Sequence, residues 1–207
     1  MSWLAEQVSL LGDFFRSGFR RTVLWCAVGM IAAAVLGFGA AMISPEMAWD
    51  ALDAFAEQVA EAGVVDEAGQ MSVFALLMNN WRAMLFSILY GLIPFIFLPA
   101  VSLMSNGMLL GIMTGVYQAN GMPVVVLAAG VLPHGVFELP ALILSIACGV
   151  RLCRNMSFLV ARSRKSVPFI ELAEDLLRVL VLVIAPLTVA AAFIECYVTP
   201  VIMGWFL

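Results

Sequence analysis

One histidine and two glutamates fall inside stretches of this sequence that are otherwise uncharged. His134 and Glu138 are four residues apart, so they share a face of a helix, and Glu195 stands alone in another apolar stretch. An imidazole and two carboxylates can hold Zn²⁺ or another divalent cation, with water completing the shell. The same groups can relay protons, or hydrogen-bond each other and lock two helices together. The residue types leave all three interpretations open.

Ionisable groups at the centre of a bilayer cost about 2.5–3.5 kcal/mol on insertion scales. We therefore expect His134, Glu138 and Glu195 to lie close together and to face a cavity, a partner or an ion. Prolines and a glycine near them predict a kinked or broken helix with free backbone carbonyls. These helix-breaking residues are Pro133, Gly135, Pro140 and Pro186.

The composition places the chain in a membrane. Of its 207 residues, 64% are hydrophobic and 12% are charged, and the mean hydropathy is +1.06. These values exclude an ordinary soluble domain and a disordered chain. The net charge of −4 and the lack of a basic tract argue against nucleic acid as a partner, and the lipid bilayer is the expected surroundings. We predict an all-α, polytopic transmembrane bundle of about five spans, a single membrane domain over residues 1–207, with short interfacial helices.

Uncharged runs and turn signals set the predicted spans. The run from Thr22 to Pro45 is long enough for one span, and the run from Ala83 to Pro133 must hold more than one. The Asn106-Gly107 pair and a second Asn-Gly pair favour tight turns that divide the second run, which makes the third span short. The predicted spans are 22–43, 83–104, 106–119, 122–150 and 179 to the C-terminus.

The distribution of charge predicts the orientation. Five spans with the N-terminus inside and the C-terminus outside place nine of the ten basic residues in the cytoplasm. Residues 1–21 then form a cytoplasmic amphipathic helix, on the membrane face or docked on the bundle, and residues 151–178 a second cytoplasmic segment. Residues 44–82 form an extracytoplasmic, acidic, helical loop. Its seven acidic residues include Asp66 and Glu67. Three interpretations are open for them: a solvated face, a surface that attracts cations, or a docking face for a basic partner.

A second polar group, Asn79, Asn80 and Arg82, stands at the predicted outer end of the second span. Arg82 is the single basic residue that this topology places outside, so Glu195 is a candidate ionic partner for it. Asn106 is a further supporting polar residue.

Three glycines recur every four residues in the third span, at Gly107, Gly111 and Gly115. This spacing gives a helix one smooth face and permits close approach of a neighbouring helix. The ridge predicts helix packing, either within the subunit or across a homo-oligomer.

Several motifs resemble the stage II sporulation protein M family of bacterial and archaeal integral membrane proteins. They are Asn79-Asn80, Ser105-Asn106-Gly107 with Gly111, the run from Leu132 to Ala141 that reads Pro-His-Gly-Val-Phe-Glu-Leu-Pro at its centre, Ile194-Glu195, and Thr199-Pro200. The resemblance covers residues 79–200. It implies a five-helix protein of a prokaryotic cytoplasmic membrane. In spore formers, the family's named member works with extracytoplasmic cell-wall hydrolases during engulfment, while many relatives live in organisms that do not sporulate.

Three functions compete. The first is a non-enzymatic scaffold or regulator of enzymes that remodel the cell envelope and its peptidoglycan. The second is a channel or transporter for a cation or small solute that uses His134, Glu138 and Glu195. The third, an intramembrane metal-dependent hydrolase, is the weakest, because the chain has a single histidine and no serine or cysteine within one helical turn of it. No cofactor is certain, and Zn²⁺ or another divalent cation is the candidate.

Overall fold

The computed structural model describes residues 2–64 and 71–206. Five helices are long and apolar enough to cross a membrane, which confirms the predicted all-α bundle. They cover Trp3–Ile43, Val73–Leu92, Pro99–Ala119, Val124–Val160 and Phe169–Met203. The acidic residues Asp66 and Glu67 lie outside the described residues.

The N-terminal segment and the first span form one long helix with a bend. Helix α1, Trp3–Phe14, passes through a wide turn at Phe15–Phe19 into α2, Arg20–Ile43. Gly18 takes a φ of 100° in that turn, a conformation that glycine adopts without a steric penalty. The helix α1 is docked on the C-terminal helix, because Arg178 Nε donates a hydrogen bond of 2.8 Å to Gln7 Oε1. Trp3, by contrast, is 72% exposed.

The predicted boundaries of the second and third spans are wrong. After α3, Pro45–Glu61, helix α4 already begins at Val73 and runs to Leu89, so residues 73–82 belong to a span and not to a loop. A short 3₁₀ turn, Tyr90–Leu92, extends α4, and helix α5 covers Pro99–Ala119. The third span is therefore full length, and the turn before it lies at residues 93–98. Proline at the first position of a helix needs no hydrogen bond, so Pro99 favours a start there.

The turn at residues 93–98 is held by the neighbouring helix α6, Val124–Val160. Phe95 and Phe97 have positive φ values of 68° and 51°, which is rare for bulky side chains. Phe95 N donates to Ser157 Oγ at 2.8 Å, and Cys153 Sγ donates to the Ile93 carbonyl at 3.2 Å. These bonds to α6 stabilise a turn that the local sequence does not favour.

The helix that carries His134 is not broken at the predicted positions. Helix α6 is continuous over 37 residues and contains both Pro133 and Pro140, as well as Gly135. Each proline removes one backbone N–H from the helix ladder, and two such losses in so long a helix do not interrupt it.

The last span runs without interruption past Pro186. It consists of α7, Phe169–Val179, a π turn at Leu180–Ile184, α8, Ala185–Phe193, a second π turn at Ile194–Val198, and α9, Thr199–Met203. Pro186 and Pro200 stand in the first turns after the two π turns. In an α-helix, the proline ring clashes with the carbonyl group of the preceding turn. A π turn before the proline widens the helix at that point and so makes room for the ring.

The glycine ridge of α5 packs against α2 of the same subunit. A Cβ atom added at Gly107 would lie 2.7 Å from Ala33 Cβ, and one at Gly115 would lie 2.6 Å from Ala41 Cβ. At Gly111 an added Cβ would collide with the Ala34 carbonyl. The residue numbers on the two helices rise together, so α2 and α5 are parallel. The sequence left open whether the glycine ridge packs within the subunit or across a homo-oligomer. In the structure it packs within the subunit.

Candidate cation site inside the membrane

Two of the spanning helices bring the histidine and the glutamates together. His134 and Glu138 lie on α6, one turn apart, and Glu195 lies in the π turn that precedes α9. His134 Nε2 is 4.0 Å from Glu138 Oε2. One ligand atom from each of the three residues can be chosen such that all lie within 4.8 Å of one another. All three side chains are half-buried.

This arrangement suits a divalent cation. Bonds of 2.0–2.2 Å in a tetrahedral Zn²⁺ site place neighbouring ligand atoms about 3.4 Å apart, so small side-chain rotations would close the set around an ion. Three protein ligands leave one position for water. An imidazole with two carboxylates fits Zn²⁺ better than Ca²⁺, which prefers six or more oxygen ligands.

A fourth residue, Thr199, appeared in the sequence analysis within the Thr199-Pro200 motif and was not predicted to belong to the site. Its hydroxyl lies 3.3 Å from His134 Nδ1 and is buried with the start of α9. In the tautomer that carries its hydrogen on Nδ1, the ring donates to this hydroxyl and keeps the lone pair of Nε2 on the Glu138 side. Residues that accept a hydrogen bond from the ring nitrogen opposite the metal orient metal-binding histidines in this way. The available signal was the spacing of four residues between Glu195 and Thr199.

The cluster lies in a cavity of about 430 Å³. Its lining extends from Phe55 and Val59 on α3 to Leu142 on α6, so the cavity reaches the cluster from the end of the bundle that carries α3. The polar residues that line it are Asn79, Asn80, Asn106, His134, Glu138 and Glu195. Three of the four supporting polar residues named from the sequence thus share the cavity with the cluster.

The amide of Asn80 faces this cavity with unused hydrogen-bonding capacity. Its Nδ2 atom is buried and has no hydrogen-bond partner within residues 2–64 and 71–206. A buried donor without a partner is costly, so this amide is an unsatisfied polar group beside the cavity. The cavity is thus mostly apolar in lining, with its polar groups gathered around His134, Glu138 and Glu195.

Arg82 does not join the cluster, contrary to the expectation that it pairs with Glu195. Over the described parts of the chain, no carboxylate lies within 4.0 Å of its guanidinium. Its Cζ atom lies 5.8 Å from the centre of the Phe86 ring instead. Arg82 also stands near the middle of the Val73–Leu92 helix and not at its end, because that helix begins earlier than predicted.

On the far side of the cluster from α3, helix α6 is tightly packed. Ala141, Ile146, Ala147 and Cys148 are each 0% exposed. Nearby, Trp81 Nε1 donates a 2.9 Å hydrogen bond to the buried Thr188 Oγ1 and fastens α4 to α8. This apolar layer separates the cavity from the end of the bundle that carries residues 93–98.

Comparison with known proteins identifies the family of this chain. The family model described as Stage II sporulation protein M matches residues 22–200. An uncharacterized protein of Methanocaldococcus jannaschii is 30% identical over 138 residues, which cover 67% of this chain and 76% of that protein. No solved structure matches the chain. Because the family match spans most of the chain and includes His134, Glu138, Glu195 and Thr199, this protein belongs to the stage II sporulation protein M family.

Proposed function

We propose that this protein is a membrane scaffold that takes a divalent cation, Zn²⁺ in the first instance, at His134, Glu138 and Glu195. The observation that carries the proposal is the placing of three ligand atoms within 4.8 Å of one another on the wall of a cavity. Two carboxylates confined at low dielectric repel each other unless a proton or a cation is shared between them. A bound cation would offset that repulsion.

The ion would reach the site from the extracytoplasmic side. The cavity extends toward α3, and the basic residues gather at the opposite end, which favours the cytoplasm for that end. Acidic residues on α3, among them Glu46, Asp50 and Asp53, are exposed beside the route and attract cations. A bound ion would fasten the C-terminal helix to α6.

The scaffold role rests on the family and on the rigidity of the bundle. In spore formers, the family's named member works with cell-wall hydrolases. A bundle with a fixed C-terminal helix would present a defined surface to partners of that kind. We propose a non-enzymatic role, with extracytoplasmic enzymes of envelope remodelling as the partners. The ion then stabilises the surface that the partner binds.

A second candidate function is cation transport, and the depth of the cavity favours it. The cluster lies about 15–20 Å along α6 from Val124, so an ion there has entered the membrane. Against transport, the buried layer from Ala141 to Cys148 closes the route in this conformation. A transporter would need a second conformation that opens this layer.

Metal analysis of the purified protein tests the proposal. We expect about one Zn²⁺ per chain in protein prepared without chelator, and a melting temperature that falls when the ion is removed and recovers when it is restored. His134→Ala and Glu195→Gln should lose the ion. Glu171→Gln, which makes the same change at an exposed position on α7, should keep it.

Two results would contradict the proposal. Metal content near zero, with no stabilisation by added Zn²⁺, would leave a structural His–Glu contact as the better interpretation. Uptake of Zn²⁺ into vesicles by the wild type, abolished in Glu195→Gln, would favour transport over the scaffold.

A further inference from the structure

An arginine stands near the middle of the second spanning helix, on a face that the bundle leaves open. Arg82 is exposed and lies about 14 Å from Val73 and about 15 Å from Leu92 at 1.5 Å per residue. Its one described contact beyond its own backbone is the ring of Phe86. A charged side chain at this depth requires a counter-charge or a water-filled space.

Arg82 lies in a groove of about 590 Å³ between α4 and α5. The groove begins at Gln58 on α3 and ends at Tyr90 and Ser102, close to the turn at 93–98. Between these ends it is lined by Asn79 and Asn106, whose amides can donate hydrogen bonds. Along α4 the groove runs from Asn79 to Tyr90, about 16 Å of helix, and polar groups recur along it, which a purely apolar lipid contact would not need.

Within residues 2–64 and 71–206, no carboxylate lies within 4.0 Å of the Arg82 guanidinium, and the acid that shares its groove is Glu61 at the α3 end. In the described helices, the acidic residues near mid-span are Glu138 and Glu195, and both line the other cavity. The groove gives the guanidinium a polar space that an anion can enter, and phosphate is the anion that a membrane supplies.

We propose that this groove carries the headgroup of a zwitterionic phospholipid between the two leaflets, with its phosphate on Arg82 and its acyl chains in the lipid. A guanidinium binds phosphate oxygens with two parallel hydrogen bonds. Glu61 also lines the groove, at the α3 end, where its carboxylate repels an anionic headgroup and suits an ammonium group. The class is thus an aminophospholipid such as phosphatidylethanolamine. The movement is passive and needs no energy source.

Vesicle reconstitution of the full chain tests this activity. The vesicles contain phosphatidylethanolamine and phosphatidylglycerol with a trace of phosphatidylethanolamine that carries a fluorophore on its headgroup. Added dithionite bleaches the outer leaflet, so about half of the signal survives when lipids stay in their leaflet. With the wild-type protein we expect the surviving fraction to fall well below half.

Three variants link the activity to the groove. We expect Arg82→Leu, and Ser102→Leu, which narrows the opposite wall, to slow the loss of signal about tenfold or more. Arg82→Lys should keep part of the rate, because lysine binds phosphate as a point charge. Arg164→Leu, the same change at an exposed arginine outside the groove, should match the wild type. Equal elution volumes and melting temperatures show that each variant is folded.

Three outcomes would overturn the proposal. The first is a wild-type signal that stays at half, and the second is folded Arg82→Leu protein that moves the lipid as fast as the wild type. The third combines two results: wild-type vesicles show no lipid movement, and the wild-type protein is an oligomer that dissociates when Arg82 is replaced by Leu. These results together would make the groove a protein interface. None of these tests depends on the metal content at His134, so they are separate from the test of the cation site.

Discussion

At the scale of single residues, His134 has a polar neighbour on each side of its ring. Glu138 lies on the Nε2 side at 4.0 Å and Thr199 on the Nδ1 side at 3.3 Å. The ring is thereby oriented across the gap between α6 and α9, with Glu195 completing the set. A residue that hydrogen-bonds the second ring nitrogen of a metal-binding histidine fixes the orientation of the ring. This raises the affinity for the metal because less side-chain entropy is lost when the ion binds.

Removal of the Thr199 hydroxyl should weaken the cation site without removing a ligand. We expect Thr199→Val to lower Zn²⁺ affinity about 10-fold, at the lower end of the range for outer partners of metal ligands. Titration with a competing chelator measures this change. Thr114→Val, which removes a hydroxyl that bonds only within its own helix, is the matched control. Equal affinities in the two variants would show that Thr199 does not position the histidine.

At the scale of elements, the parallel pair α2 and α5 depends on small residues at its crossing. Gly107 and Gly111 on α5 face Ala33 and Ala34 on α2, and their backbones approach too closely for any side chain. In a membrane, where apolar burial gives no advantage over lipid, such close packing is a main source of helix association.

A bulky side chain in this crossing should separate the two helices. We expect Gly111→Leu to lower the melting temperature in detergent by several degrees or to prevent folding, since overpacking costs about 1–3 kcal/mol or more. Gly39→Leu is the control on the partner helix, because a Cβ at Gly39 would meet nothing within 4 Å. Equal melting temperatures for Gly111→Leu and the wild type would show that the crossing is not required.

The turn at residues 93–98 depends on another element for its conformation. Ser157→Ala removes the acceptor of the Phe95 amide, whose residue has the strained φ of 68°. An amide left without a partner costs about 1–3 kcal/mol when buried. We expect faster hydrogen exchange in this turn, measured by mass spectrometry, with little change in α2. Exchange that is unchanged in the turn would contradict the anchoring role of Ser157.

At the scale of the whole molecule, the polar features are divided between two cavities. The His134 cavity lies among α3, α4, α5, α6 and the C-terminal helix, while the Arg82 groove lies on the side between α4 and α5. Asn79 and Asn106 line both cavities. The basic residues other than Arg82 lie at one end of the bundle, which predicts that end to be cytoplasmic.

Cysteine labelling in intact cells tests this orientation. In a background with Cys196 replaced, we expect a membrane-impermeant reagent to label Glu46→Cys on α3 and not Arg164→Cys, unless the cells are opened. The other three cysteines are buried and should stay silent. Labelling at Arg164→Cys in intact cells would reverse the topology. Asp66, in the predicted extracytoplasmic loop, would be another position for a cysteine probe, but it lies outside the described residues.

The sequence by itself determined the class of the protein and the residues of its candidate site. Hydropathy is a local property, so the five apolar stretches are evident without a structure, and the cost of ionisable groups in hydrocarbon marks His134, Glu138 and Glu195. The same local reasoning failed where distant contacts decide. Asn106-Gly107 favours a turn in isolation, yet it lies within α5, because Gly107 packs on Ala33.

Only the tertiary structure decided the depth of Arg82, the role of Thr199 and the true turn at 93–98. Each depends on contacts between residues far apart in the chain, as between Phe95 and Ser157 or His134 and Thr199. Two prolines are tolerated in α6 for a related reason. The packing of this long helix on its neighbours stabilises it by more than the loss of two backbone hydrogen bonds costs. Local propensity is weak compared with tertiary packing, so the packing set the boundaries and the geometry of the site.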